Sequence, residues 1–395
     1  MKKLIAATIA PIYKTKKKVV ILTQSVLNGN YGCTLQAYAL QNIINSLGYS
    51  VSTDVANIRK LNIMHIGRCT KRLVLQHISR KTISIILTPR IKKIIYKNLL
   101  LFVNKNIEIV DIYNGNKKPD KNLVNKFNVI VVGSDQVWRK KYSNIPVHLL
   151  DFTKKINIKR ISYAASFGLD DISEYGPVLK RISKKLAKRF NAISVREDSG
   201  VAICKRHWGI EAEHLIDPTL LLDKNHYINL VNKDKTNIKK SDGNLFVYIL
   251  DNNGHKKQII NNIASKLKLK QFEIMPQKPD SNKEFYKDPN KYVLPSVTQW
   301  LKSFIDAKFI VTDSFHGCVF SIIFNKPFIA IGNKKRGMAR FTSLFKMFNL
   351  EDRLISSADE LTDKLILSEI NWPSINRRIS REQNKSNDFL RKNLG

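Results

Sequence analysis

The chain has 395 residues, of which 43% are hydrophobic, enough for two or three domains with apolar interiors and too many for wholesale disorder. Its four cysteines, Cys33, Cys69, Cys204 and Cys318, lie far apart with no CxxC pair, which argues against a disulfide framework or a zinc site and fits a reducing, cytoplasmic setting. The formal charge of +36 makes nucleic acid the first partner to weigh, but Lys, Asn and Ile are abundant throughout, so where the charge lies matters more than its sum.

Met1–Ala10 imitates the start of a signal peptide, yet its apolar run is only seven residues and stops at Pro11, so secretion is not expected. No apolar run approaches the roughly 18–20 residues of a membrane span. Lys18–Thr23 reads as a first strand, followed by the turn Asn28-Gly29-Asn30-Tyr31-Gly32 and a helix over 34–47 closed by Gly48. Val51 opens the next strand. Between Asp54 and Glu108 there is no acidic residue, while Lys and Arg recur among Leu, Ile and Val. The stretch 56–107 therefore reads as one or two basic amphipathic helices, suited to an anionic leaflet or a lipid-linked anionic substrate, or equally to a solvated face with no partner.

Further along, strands are predicted at Asn128–Val132, Arg160–Gly168 and Ala192–Arg196, a basic helix over 178–190, and a strand end or exit at Asp217–Leu222. The polar stretch 232–243 is the expected linker. The pattern then restarts with strands at Leu245–Leu250, Gln271–Met275, Phe309–Val311 and Pro327–Ile331. Helices are predicted over 257–267 and over 296–306, the latter with Ser296 as its N-cap, and a short helix over 318–324 follows the Asp313–Gly317 turn. Alternation of strands and helices predicts an α/β fold of two Rossmann-like domains facing a cleft: 1–231 with the basic insertion, 244–355, and a C-terminal helical tail over 356–395.

Three turns carry polar chemistry. Gly29-Asn30-Tyr31-Gly32 offers backbone amides and a helix N-terminus, but it is not GxGxxG and no acidic residue follows at the ribose-binding distance, so a dinucleotide site is weakly supported. Gly133-Ser134-Asp135-Gln136-Val137-Trp138 presents a hydroxyl, a carboxylate and an amide, suited to a sugar, unless it is an Asx turn with Trp138 in the core. Asp313-Ser314-Phe315-His316-Gly317 places a histidine at a strand-to-helix turn, ahead of Lys334, Lys335, Arg336 and Arg340, which suits acid–base chemistry on a small polyanion. Arg196 leaves a strand directly and its fork fits a carboxylate or phosphate, unless Glu197 or Asp198 neutralises it. The other histidines share no metal spacing, so no metal is expected.

Taken in order, Asn30–Leu40, Val132–Trp138, Tyr163–Gly168, Ser194–Glu197, Asp217–Leu220 and Thr312–Gly317 with Phe320-Ser321 resemble the blocks of the polysaccharide pyruvyl transferase family. The resemblance implies a glycosyltransferase B-like architecture and transfer of pyruvate from phosphoenolpyruvate to sugar hydroxyls as a ketal, with no cofactor. It implies His316 as general acid and Arg196 as a phosphoenolpyruvate contact. Ser314, Phe315 and Gly317 complete the donor block, and a downstream cation helps hold the anion, Arg336 first and Arg340 second. Asn30, Tyr31, Gly32, Asp135 and Gln136, on turns of the first domain, are expected to meet the acceptor, a sugar or a lipid-linked oligosaccharide of a surface or exopolysaccharide precursor. The setting is then cytoplasmic, with peripheral contact at the inner membrane face through 56–107, and no nucleic acid. The competing readings are a nucleotide-sugar glycosyltransferase of the same fold and a basic protein that binds nucleic acid or membrane.

Overall fold

Runs of aliphatic and aromatic residues buried on both faces build two parallel sheets. The computed structural model describes residues 16–55, 87–115, 118–234, 238–251, 254–333 and 336–395. The first sheet holds β1 (Lys18–Leu22), β2 (Ser50–Asp54), β3 (Ile109–Val110), β4 (Val129–Val132), β5 (Lys159–Ala165), β6 (Ala192–Val195) and β7 (Glu213–His214), in the order β3-β2-β1-β4-β5-β6-β7. The second holds β8 (Leu245–Tyr248), β9 (Gln271–Phe272), β10 (Phe309–Thr312), β11 (Phe328–Ile331) and β12 (Leu354–Ile355), in the order β12-β11-β10-β8-β9. Every pairing among the described strands is parallel. All side chains of β4, β8, β10 and β11 are buried, as strands covered by helices on both faces require.

The strand orders locate the functional region. In the first sheet the winding reverses between β1 and β4, and in the second between β8 and β10. At such a reversal the crossovers leave on opposite faces, and a crevice opens beyond the strand carboxyl ends. Residues just past all four strands, Gln24, Asp135, Leu250 and Asp313, line one cleft. The two Rossmann-like domains expected from the alternation therefore face each other across it.

The domains are joined by apolar packing as well as by the chain. One continuous cluster includes Val19, Ile21 and Leu35 beside the first sheet and Phe246, Trp300 and Phe320 beside the second. Tyr31 stacks on Trp300 with centroids 5.3 Å apart and planes 7° from parallel, and Tyr227 meets Phe320 edge-on at 5.1 Å. Such ring pairs contribute about 0.5–1.5 kcal/mol each beyond the area they bury. The helix Trp372–Leu394 adds a strap. Arg378 Nη1 donates to the Met347 carbonyl (3.3 Å) in the second domain, while Gln383 Nε2 and Lys385 Nζ donate to the carbonyls of Leu220 (2.7 Å) and His214 (2.8 Å) in the first.

Local reading and structure differ at several points. The helix expected from Cys318 begins at Phe315, because Ser314 Oγ caps it by accepting from Gly317 N at 3.3 Å, so His316 lies in the first helical turn. The strand expected to reach Met275 ends at Phe272. Asp217–Leu222 continues from β7 as a tight turn over Pro218–Leu221, with Asp217 as its cap. Of the basic insertion, helices Pro89–Ile95 and Lys97–Asn106 are described, while 56–86 lie outside the described residues, as do Lys334 and Lys335. Among the described residues no helix is long and apolar enough to cross a membrane.

Candidate functional site

β10 and its Ser314 cap deliver His316 into the interface between the domains. The residue is 7% exposed, and its Nε2 faces Asp217 Oδ2 at 3.6 Å, just beyond hydrogen-bond length. Asp217 belongs to the first domain. The imidazole also lies against Gly32 in the first turn of the Tyr31–Ser46 helix. A Cβ built on Gly32 would stand 2.0 Å from His316 Nδ1. Gly32→Ala ordinarily favours a helix by about 0.5–1 kcal/mol. Here the ring fills the space, so we expect a net loss of about 1–3 kcal/mol, read as a lower urea midpoint.

Around His316 the two domains interleave buried charges. Arg196, projecting beyond β6, donates through Nη1 to Asp217 Oδ2 at 2.6 Å and through Nη2 to Asp135 Oδ1 at 3.4 Å. These carboxylates, rather than Glu197 or Asp198, neutralise it. Glu197 instead accepts from Ser166 Oγ and from Gly168 N, and Asp198 receives Lys346 Nζ at 3.4 Å. Glu197 turns away because successive side chains of an extended strand end alternate, and Asp198 already opens the helix Asp198–Ile203. Arg340, from the helix Ala339–Phe348, approaches the same Asp135 Oδ1 at 4.0 Å. Both guanidiniums lie over the Phe315 ring, at 4.6 Å for Arg196 and 5.2 Å for Arg340. Arg196 Nε, Arg340 Nε and His316 Nε2 are buried without a hydrogen-bond partner among the described residues.

The charges shift one another. Burial opposes ionisation of Asp135, but Arg196 and Arg340 outweigh it and hold the carboxyl down to about 2. Burial likewise opposes the Asp217 carboxylate, and His316 and Arg196 overcome it, leaving Asp217 well below the usual carboxylate range. Desolvation, with Arg196 nearby, lowers Arg340 to about 10. Burial pushes up both the Glu197 carboxyl and the Cys33 thiol, whose Sγ sits 2.8 Å from Asp135 Oδ2.

The cleft has a volume of about 590 Å³. Asn30, Tyr31, Gly32, Asp135, Gln136, Ser314, Phe315, His316, Arg336 and Arg340 line it, whereas Arg196 and Gly317 do not. Arg196 lies behind Phe315, and Gly317 packs on Thr312, whose Oγ1 would stand 2.2 Å from a Cβ at residue 317. Several lining residues already have structural tasks. Asn30 Oδ1 caps the Tyr31–Ser46 helix by accepting from Cys33 N at 3.2 Å. The Tyr31 hydroxyl donates to the Pro295 carbonyl at 2.8 Å, making this side chain an interdomain strut. Gln136 Oε1 accepts from Arg139 Nη1 at 3.0 Å. Arg336 forms a two-pronged pair with Asp251 at 2.6 and 2.9 Å, so the first-choice cation is neutralised at the rim while Arg340 stands deeper. Trp138 is fully buried against Phe167 and Trp208, which settles it as a core residue.

Sequence reading missed Gln24, Tyr142 and Lys278 in the cleft wall and the pairing of Asp313 with Lys256 Nζ at 2.7 Å. Gln24, Tyr142, Lys278 and Lys256 lie in no motif with a recognisable spacing. Among the described residues no three His, Cys, Asp or Glu side chains cluster as metal ligands.

Residues 30–335 match the family model described as polysaccharide pyruvyl transferase. No curated protein sequence matches the chain. Similar solved structures include a UDP-GlcNAc 2-epimerase from Neisseria meningitidis bound to UDP-GlcNAc, 11% identical over 95% of this chain and 99% of that one, with a TM-score of 0.48. The glycotransferase of kitacinnamycin is 12% identical over 96% and 99%, with a TM-score of 0.44. The UDP-N-acetylglucosamine 2-epimerase of Rickettsia bellii is 12% identical over 95% and 98%, with a TM-score of 0.44.

Proposed function

The chain belongs to the polysaccharide pyruvyl transferase family, a family of transferases, and from that premise we propose that it moves pyruvate from phosphoenolpyruvate onto two hydroxyls of a sugar as a cyclic ketal. The observation that carries this reading is a cleft-lining histidine set beside two buried guanidiniums, where the carboxyl-end crevices of both sheets meet. Phosphoenolpyruvate presents a carboxylate, a phosphate and a methylene carbon that accepts a proton, and such a cluster offers cations for the first two and an acid for the third.

In this reaction His316 gives its proton to the methylene carbon, leaving an oxocarbenium-like centre at the adjacent carbon. One sugar hydroxyl adds there. The carbon–oxygen bond to phosphate breaks and the second hydroxyl closes the ketal. Two hydroxyl protons are released overall: one restores His316, so the methyl group holds the net gain, and the other leaves on phosphate. Arg340, in the cleft wall, is our first choice to meet the donor anion. Arg196 acts from behind Phe315, and Arg336 comes third because Asp251 already engages it. Asn30, Gly32, Asp135 and Gln136, which line the cleft from the first domain, are our candidates to meet the acceptor. The acceptor is a sugar or lipid-linked oligosaccharide. Leu101, 59% exposed between Lys97 and Lys105, supports a peripheral contact with an anionic membrane surface on the cytoplasmic side.

Thermal unfolding tests the donor. A ligand at a hundred times its Kd adds about 2.7 kcal/mol to stability. Phosphoenolpyruvate is expected to raise the melting temperature of the wild type, with most of the rise lost in Arg340→Met and less lost in Arg336→Met. A rise with a sugar nucleotide and none with phosphoenolpyruvate overturns the reading in favour of glycosyl transfer.

A further inference from the structure

The Asp217-Pro218-Thr219 turn has no task in the reaction as described so far. Its geometry is nevertheless specific. The Asp217 side chain is fully buried. Oδ1 accepts from Thr219 N at 3.0 Å and from Thr219 Oγ1 at 2.7 Å, which fixes the carboxylate plane. Oδ2 is then aimed at two groups, Arg196 Nη1 at 2.6 Å and His316 Nε2 at 3.6 Å. The first lies in the same domain and the second comes from the other.

An imidazole donates from one ring nitrogen at a time when neutral, and the partner of one nitrogen decides which. Here a carboxylate faces Nε2. Nδ1 has no hydrogen-bond partner among the described residues; Gly32 packs against the ring at this nitrogen, and the residue lines the cleft. Among the described residues, Asp135 also interacts electrostatically with the ring, and Arg196 and Arg340 flank that carboxylate. Resting on the pyruvyl-transfer reading, we propose that Asp217 is the positioning residue of His316: it keeps the proton on Nε2 and so makes Nδ1 the nitrogen that delivers a proton to the donor's methylene carbon.

The proton balance follows. In the charged ring both nitrogens carry hydrogen. Nδ1–H passes its proton to carbon, Nε2–H remains against Asp217, and the neutral ring recovers the Nδ1 proton from the incoming hydroxyl. Because the same carboxylate oxygen holds Arg196, the acid and the guanidinium behind Phe315 share one anchor. The 3.6 Å separation shortens to a hydrogen bond with a small approach of the second domain, in keeping with catalytic contacts that tighten on substrate binding.

The test uses full-length protein with 15N-labelled histidine, the His316 signals being assigned by their loss in His316→Gln from among the eight histidines. In wild type at alkaline pH, His316 is expected as the Nε2–H form. Asp217→Asn is expected to populate the Nδ1–H form and to lower kcat for acceptor-dependent phosphate release by about 100-fold. Thr219→Ala retains the carboxylate, its arginine and the backbone N–H at Oδ1 but removes the hydroxyl bond, loosening the carboxylate plane, and is expected to mix the two forms with a smaller fall in kcat. It also stands in should Asp217→Asn not fold. An unchanged Nε2–H form in both variants, or an Nδ1–H form in wild type, overturns the proposal. The tautomer reading needs no substrate, so it stands apart from failure of the donor assignment, which the thermal-shift experiment reports.

Discussion

His316→Gln is expected to lower acceptor-dependent release of phosphate from phosphoenolpyruvate by about a hundred- to ten-thousand-fold, the range a positioned general acid supplies. Folding should be little affected, because the Ser314 cap, the stacking of Arg196 and Arg340 over Phe315 and the Arg196–Asp217 pair do not involve the imidazole. Donor binding should also persist, since Arg340 stays in the cleft wall. The decisive pattern is therefore a retained phosphoenolpyruvate-induced rise in melting temperature together with lost turnover. Wild-type turnover in this variant would remove His316 from the chemistry.

The largest stability effect is expected at Arg196. Arg196→Met leaves Asp217 and Asp135 buried without their closest cation, and breaking a buried pair in this way costs about 3–5 kcal/mol. Urea unfolding measures the loss, and its pH dependence tests the cause. In wild type both carboxyls titrate below their ordinary range, so the unfolded chain binds more protons than the folded one in acid. Their stabilising contribution is complete above about pH 4 and is lost as the pH falls through the folded value, about 2 for Asp135. Without Arg196 the buried carboxyls favour the protonated form, so the variant gains stability relative to wild type as the solution is acidified. The deficit should be largest near neutrality and shrink toward pH 4. A deficit independent of pH would attribute the loss to packing.

Features set by neighbours in sequence were legible before the structure. The apolar run Phe309–Val311 predicts a buried strand, and β10 is one. Ser296 predicts an N-cap, and its hydroxyl accepts from Gln299 N. Two series of alternating elements predict two parallel sheets. Local reading failed at His316 itself, because Gly317 looked like a turn residue while the Ser314 hydroxyl begins the helix one residue after itself. The site was legible only in pieces. Asp217 and His316 stand 99 positions apart, and no periodicity links them. Arg196 could be read as anion-seeking or ion-paired, but its partners come from a turn 21 residues later and a strand end 61 residues earlier. The preference for Arg336 over Arg340 had no local warrant against it. Only the fold brings Asp251, 85 residues away, to the Arg336 fork.

The apolar cluster shared by the sheets also limits how this protein can be divided. The polar stretch between Asn232 and Gly243 looks like a natural place to cut, yet the interior does not end there. Separated halves would each carry a raw face, Tyr31 and Tyr227 on one and Trp300 and Phe320 on the other, with no partner ring to cover it. Such faces promote self-association. Grafting one lobe onto a foreign one would therefore require redesigning this seam before any attention to the acceptor rim.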